Sequence, residues 1–243
     1  MDSAIYNAAS GMIAQQVRLD VLANNLANVS TPGFRRDGTF LREFRRFGEG
    51  INGAVNGVVR VPATYTLDRA GTLLHTGNPT DFSLEGPGLF AIQTDLGVLY
   101  TRDGSFTRDP DGKLVTSRGE SVLGTSGKPL RLPPGLIGMA ADGTLSVNGQ
   151  QVGRLKIVDI PMAEQIKTGE GLVLPNRADA VQAARRSTSV RQGFREGSSV
   201  NAVDEMVEMI SAQRAFETYR RVLSLAINDV DRQAVTVIAG PTG

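Results

Sequence analysis

Near the C-terminus, Met209, Ala212, Phe216, Tyr219, Leu223, Ala226 and Val230 follow one another at alternating spacings of three and four, and Val237 rejoins the series after Gln233 interrupts it. This spacing keeps one stripe of a helix turned toward a partner as two helices wind around each other, so it predicts a coiled-coil seam. The helix is expected from about Asn201 to about Ile238. Asn201 can cap its open amide groups, and Asp204, Glu205 and Glu208 suit the positive end of its dipole. Some 38 residues at 1.5 Å each would reach about 57 Å, longer than a compact core is wide, which favours a paired helix over an ordinary core helix.

A second seam opens the chain. Ile5, Met12, Leu19 and Leu26 recur every seven residues, interleaved with Ala8, Gln15, Leu22 and Val29. The two terminal helices are therefore expected to pair with each other or with copies of themselves. Gln15 at an inner position and Gly11 within the helix weaken this seam, the glycine by about 1 kcal/mol relative to alanine. Asn24, Asn25 and Asn28 are candidates for polar contacts that fix register, with helix termination as the alternative. Asn28-Val29-Ser30 is formally a glycosylation sequon, but it falls where a helix should end, and a capping asparagine fits better.

The turn-forming residues draw the boundaries. Of 28 glycines and 11 prolines, 25 and 10 lie between residues 31 and 200, so the ends are helical and the middle is rich in turns. The expected fold class is α+β: terminal α-helices pairing as a coiled coil, with an inserted antiparallel β-rich domain. The expected division is an N-terminal helix over 1–32, an extended linker over 33–77, a β-rich outer domain over 78–197 and a C-terminal helix over 198–243. Candidate strands are Phe82 to Glu85, Leu89 to Gln93, Val98 to Thr101, Lys113 to Thr116, Pro129 to Leu132, Thr144 to Val147 and Gly153 to Asp159. Asp109-Pro110-Asp111-Gly112, Asp142-Gly143 and Asn148-Gly149 read as tight turns between them. In the linker, Arg35, Arg36, Arg42, Arg45 and Arg46 are either a solvated basic face or a segment that orders against neighbours.

Little in the chain points to chemistry. A net charge of +1 gives no electrostatic reason to expect nucleic acid or an anionic membrane, and the absence of cysteine removes disulfides, thiolate metal sites and cysteine nucleophiles. No run of about 18 apolar residues could span a bilayer. Gly48, Gly50 and Gly53 spell a dinucleotide-binding pattern without the strand before it or the helix after it. Asp109, Asp111 and Glu120 echo a calcium loop, but Lys113 brings a positive charge into it and Leu114 replaces the needed glycine. His75 is the single histidine. The carboxylates Asp81, Glu85, Asp95 and Asp103 could furnish a glycosidase pair, but there is no tryptophan to stack on a sugar. No cofactor and no small-molecule substrate are expected.

Three stretches carry a family resemblance. Ala23-Asn24-Asn25-Leu26-Ala27-Asn28-Val29-Ser30-Thr31-Pro32-Gly33-Phe34-Arg35 resembles the N-terminal signature of the bacterial flagellar axial proteins, the rod and hook family. Thr76–Asp81, Leu84–Phe90 and Tyr100–Phe106 resemble its central domain, and Ser198–Asn201 leading into Glu205–Ile210 and Gln213–Glu217 resembles its C-terminal helix. Pro87 departs from the polar residue common in the Glu-Gly-x-Gly turn. The length and the Ser-Thr-Pro-Gly-Phe-Arg form are most like the proximal-rod members, with the distal-rod members as the close alternative.

The resemblance implies terminal helices packed in an inner tube, a β-domain outside, and many copies in a helical cylinder that transmits torque and surrounds the export channel. It implies no catalysis. It also implies export through the flagellar type III apparatus without a cleaved signal peptide, residence in the periplasmic rod of the basal body, and copies of itself and neighbouring rod proteins as partners. The expected assembly residues are Ile5, Met12, Leu19, Leu22, Asn24, Asn25, Leu26 and Asn28 on the first helix, and Met209, Phe216, Tyr219, Leu223 and Val230 on the last. A coiled-coil-stalked binding module and a hydrolase are the competing readings.

Overall fold

A computed structural model of the chain describes residues 2–45, 58–168, 171–185 and 187–238, with side chains described for these apart from 2–4, 41–45, 58–61 and 229–238. The class is α+β. The chain divides into two compact units, the first built from both terminal helices and a hairpin, the second from residues 28–36 and 68–200.

In the first unit, α1 (Asp2–Ala27) packs against α2 (Ala202–Ile238), and the hairpin of β1 (Asp37–Arg45) and β2 (Val58–Thr66) packs against α1. The start of α2 follows from its capping residue: Asn201 Oδ1 accepts the Val203 N–H at 3.0 Å, and the Asn201 carbonyl accepts the Glu205 N–H at 3.0 Å. Asn28, just past the end of α1, accepts from the Thr31 N–H on its carbonyl and from Thr31 Oγ1 on its Oδ1, each at 3.1 Å, closing a turn after the helix. Within the expected linker of 33–77, residues 37–45 and 58–66 are two strands, which group with the terminal helices. The strands pair antiparallel from Asp37 opposite Thr66 to Arg45 opposite Val58. The Gly48-Gly50-Gly53 pattern and Arg46 lie outside the described residues.

The second unit holds β3 (Leu73–His75), β4 (Phe82–Glu85), β5 (Leu89–Thr94), β6 (Gly97–Thr101), β7 (Phe106–Arg108), β8 (Leu114–Thr116), β9 (Ser121–Val122), β10 (Ile137–Met139), β11 (Thr144–Val147), β12 (Gln150–Arg154), β13 (Ile157–Asp159), β14 (Gln165–Lys167), β15 (Leu172–Pro175), β16 (Gln182–Ala183), β17 (Ser189–Gln192) and β18 (Phe194–Glu196). Every strand pair described is antiparallel. The largest sheet runs β14-β15-β6-β5-β9-β8-β7, with β13 joining β5 and β16; β10-β11-β12, β17-β4 and β18-β3 form smaller sheets.

At the centre, β5 is buried on both faces. Successive side chains of a strand point to opposite sides, so Phe90 and Ile92 enter one cluster with Phe82, Phe106, Leu114 and Leu145. Leu89 and Ala91 enter a second with Tyr100, Leu123, Val158 and Ile160. Double burial explains the unbroken apolar run Leu89–Ile92.

The turns follow their chemistry. Asn148 (φ 52°) and Gly149 (φ 81°) are both left-handed, as a two-residue hairpin between β11 and β12 requires. In Asp109–Gly112, Asp109 Oδ1 accepts the Lys113 N–H at 2.7 Å, so the would-be calcium loop is the turn joining β7 to β8. Two expected strands are corrected. Pro129–Leu132 makes only isolated bridges, since Pro129 has no N–H to donate and the chain there divides its bonds between Val122 and Gly112. Gly153–Asp159 is two strands: the Leu155 N–H bonds the Gly143 carbonyl and the Lys156 N–H that of Leu123, so the chain changes partner between β11 and β5.

Asp103, after β6, accepts the Ser105 N–H on Oδ1 at 2.9 Å. Burial pushes its carboxyl pKa above the ordinary value, against the opposing pull of Ser105 and Arg195. An acid whose folded pKa is raised binds its proton more tightly when folded, so it costs stability above that pKa and the cost vanishes as pH falls below the unfolded pKa. Asp103→Asn keeps the acceptor and removes the charge; it is expected to be at least as stable as the parent at pH 7, with the difference declining on acidification through the carboxylate range, as read by denaturant titration at each pH.

Candidate assembly interface

In the first unit the two terminal helices pack against each other along one side of each. On α2, Ala212 is buried and Met209, Phe216, Tyr219, Leu223 and Ala226 are half-buried, whereas Val203, Met206, Val207 and Ile210 on the other side are exposed. On α1, Ala8, Ala14 and Leu22 are buried and Ile5, Met12, Leu19 and Leu26 are half-buried. The side chains of Val230, Gln233 and Val237 lie outside the described residues.

The helices run antiparallel. Asn25 bonds to Glu205, Arg18 pairs with Glu208 at 3.3 Å, and Gly11 faces Tyr219, so residue numbers rise along one helix as they fall along the other. Gly11, a weakness by propensity alone, is where the Tyr219 ring lies. A Cβ there would sit 2.5 Å from Cε1 of the ring, and the small residues Ala8 and Ala14 fill the same buried side of α1. Gln15 does enter the interior, with Oε1 buried and without a hydrogen bond to any described residue.

Asn25 is fully buried and acts as a three-way tie. Its Nδ2 donates to Glu205 Oε2 at 3.1 Å and to the Asp37 carbonyl at 2.8 Å, while its Oδ1 accepts the Asp37 N–H at 2.9 Å. One amide thus joins α1, α2 and β1, with both donor hydrogens used. Glu205 is itself fully buried, and its place in the first turn of α2 lets the helix dipole offset part of its desolvation. Of the three candidate asparagines, Asn25 is brought between the helices, Asn24 is exposed and Asn28 bonds to Thr31 in the turn after α1.

Ala8, Gly11, Ala212 and Glu205 were not among the expected assembly residues, and all four are buried. Their signal was available in part, because Ala8 and Ala212 occupy heptad positions, but a small side chain reads as weak packing when the approach distance is unknown. A buried Glu205 had no such signal, since a glutamate in a first helical turn is ordinarily solvated.

The other candidate chemistries resolve into structural roles. Asp81 Oδ1 accepts from Asn78 Nδ2 at 3.1 Å, Glu85 pairs with Arg191 at 2.9 Å, and exposed His75 meets the Phe194 ring edge-on at 4.9 Å. Among the described residues no group of three or more His, Cys, Asp or Glu could hold a metal ion.

Replacing Asn25 by leucine keeps the volume and removes all three bonds. It is expected to destabilise the first unit by about 2–3 kcal/mol, because Glu205 and the Asp37 backbone lose a buried partner. Thermal unfolding followed by circular dichroism at 222 nm, which is dominated by α1 and α2, checks this.

Comparison with known proteins agrees along the chain. Residues 5–35 match the family described as flagella basal body rod protein, residues 83–178 the flagellar hook protein FlgE/F/G D1 domain, and residues 191–232 the flagellar basal body rod FlgEFG protein C-terminal region. The chain is 34% identical over 243 residues to the flagellar basal-body rod protein FlgF of Mesorhizobium japonicum, covering 98% of each. It is 36% identical to FlgF of Escherichia coli, covering 96% of this chain and 97% of that one. With FlgG of Agrobacterium fabrum the identity is 31%, over 92% and 95%. The chain belongs to the flagellar basal-body rod protein family, most like FlgF, and is a structural rod subunit and not an enzyme.

Proposed function

We propose that the subunit polymerises by using the two sides of its terminal helices for different contacts. The inner side is a coiled-coil seam formed by Ile5, Met12, Leu19, Leu22 and Leu26 with Met209, Phe216, Tyr219, Leu223 and Val230, with Asn25 supplying the polar contact at its end. The outer side contacts neighbouring subunits. The observation that carries this reading is the apolar character of that outer side: Val203 is 68% exposed, Val207 62% and Ile210 54%, all on one stripe of α2, and on α1 Tyr6 is 70% and Ile13 55% exposed. Apolar side chains repeated along an exposed helix face mark a surface that is covered in use.

Copies that meet head to tail through unlike surfaces build an open helical cylinder when the rotation between them does not close into a ring. In this reading residues 1–32 and 198–243 form the core of the rod, 33–77 the connecting extension and 78–197 the outer domain. The rod transmits torque from motor to hook and surrounds the export channel, and this subunit stands in its proximal part, with the distal part as the alternative. The subunit reaches the periplasm through the flagellar type III apparatus without a cleaved signal. No helix among the described residues is long and apolar enough to cross a membrane.

Two substitutions separate the two sides. Ile210→Asp is expected to leave the purified subunit's stability within about 0.5 kcal/mol and to abolish swimming, because the residue is solvated until assembly. Phe216→Ala, on the half-buried inner side, is expected to cost about 2 kcal/mol in the subunit itself. Normal motility with Ile210→Asp, measured by spreading in soft agar of a strain lacking the native copy, would count against the outer face as a subunit contact.

A further inference from the structure

The Tyr100–Phe106 stretch lends no side chain to the helix seam, yet it holds one half of a deeply buried ion pair. Arg102 is 4% exposed and Glu196 is 2% exposed. Arg102 Nε donates to Glu196 Oε2 at 2.5 Å, and its two terminal nitrogens donate to the carbonyls of Gly88 at 2.6 Å and Leu84 at 2.7 Å. Glu196 reaches further: Oε1 accepts the Gly71 N–H at 3.2 Å, and its backbone carbonyl accepts the Gly33 N–H at 3.0 Å.

Those contacts lie where the second unit takes in and releases the chain, because it comprises residues 28–36 and 68–200. The stretches 33–36, 68–75 and 194–199 are laced together there. The Gly197 N–H donates to the Thr72 carbonyl and the Ser199 N–H to the Phe34 carbonyl, each at 2.9 Å, and β18 pairs with β3. Ser199 Oγ accepts the Arg36 N–H at 2.9 Å, and Arg35 pairs with Asp68. Two glycines permit the approach. A Cβ on Gly33, at φ 67°, would lie 2.8 Å from Arg102 Cβ, and one on Gly71 would lie 1.9 Å from the Gly197 carbonyl oxygen.

We propose that Arg102 and Glu196 are positioning residues of a clasp that binds these three passages into one mechanical junction at the edge of the β unit. The proposal goes beyond polymerisation, since it concerns how one subunit holds its own chain. The chemistry fits a clasp better than a core contact. A buried ion pair adds little stability over apolar groups of the same volume, but its directional bonds fix which segments meet. The planar guanidinium, with donors in a fixed fork, ties a carboxylate and two separate carbonyls at once, which a lysine ammonium does not reproduce. Force arriving along one passage is then shared by the others.

The test is peptide-resolved hydrogen exchange on the full chain, with Arg102→Met and Glu196→Gln compared against the parent. Both variants are expected to raise exchange in peptides covering 33–36, 70–73 and 196–199 by about tenfold or more, while peptides from β5 and β6 stay within about twofold. Glu196→Asp, which keeps the charge and shortens the reach, is expected to fall between. Unchanged protection at the three passages would overturn the clasp. So would loosening of β5 and β6 to the same degree in both variants, which would make the pair a support of the core.

Discussion

The structure depends on joining the two ends of the chain, and Asn25 is where that join is most specific. Its amide links Glu205, 180 residues away, to the start of β1. Closing a disordered loop of that length would cost on the order of 5 kcal/mol. The folded second unit removes most of that cost, because Phe34 and Ser199 are bonded to each other within it and the chain on either side leaves from neighbouring points. The helices can then be found by a short search and held by a shallow interface of alanines, a glycine and half-buried apolar residues.

A shallow inner face fits a subunit whose work is done in company. Had α1 and α2 been lined by large buried residues, the pair would be a complete core needing nothing more. Instead the largest seam residues, Phe216, Tyr219 and Leu223, remain half-buried, and the opposite side of α2 presents valines and an isoleucine to solvent. The β unit is the reverse: Phe82, Phe90, Phe106, Ile92 and Leu114 are almost wholly inaccessible, and its core is closed on both faces of β5. One part of the chain is finished on folding, and the other is left with surface to cover.

Much of this was legible in the sequence because it is written locally. Heptad spacing gives the face of α2, Asn201 gives its first residue, and the Asn-Gly and Asp-Gly pairs give turns whose left-handed backbone few other residues adopt. The strands 82–85 and 144–147 are bounded as their alternation and flanking turns indicate. What was not legible depends on distance through space. Gly11 reads as a defect until Tyr219 is seen above it, Arg102 and Glu196 read as two ordinary charges 94 residues apart, and β14 to β18 are short pieces whose pattern is too brief to separate from loop. The hairpin of β1 and β2 was read as extended chain because its regularity comes from pairing and from α1, not from composition.

On the proposed function, α2 carries two faces, one satisfied within the subunit and one satisfied only in the rod. The chain contains no cysteine, so a single introduced thiol reports its own surroundings. Maleimide labelling of Ile210→Cys and Ala212→Cys, in the purified subunit and in isolated basal bodies, tests the claim directly. The thiol at 210 is expected to react readily in the free subunit and to become protected in basal bodies, while the thiol at 212 reacts slowly in both. Equal labelling at 210 before and after assembly would contradict it.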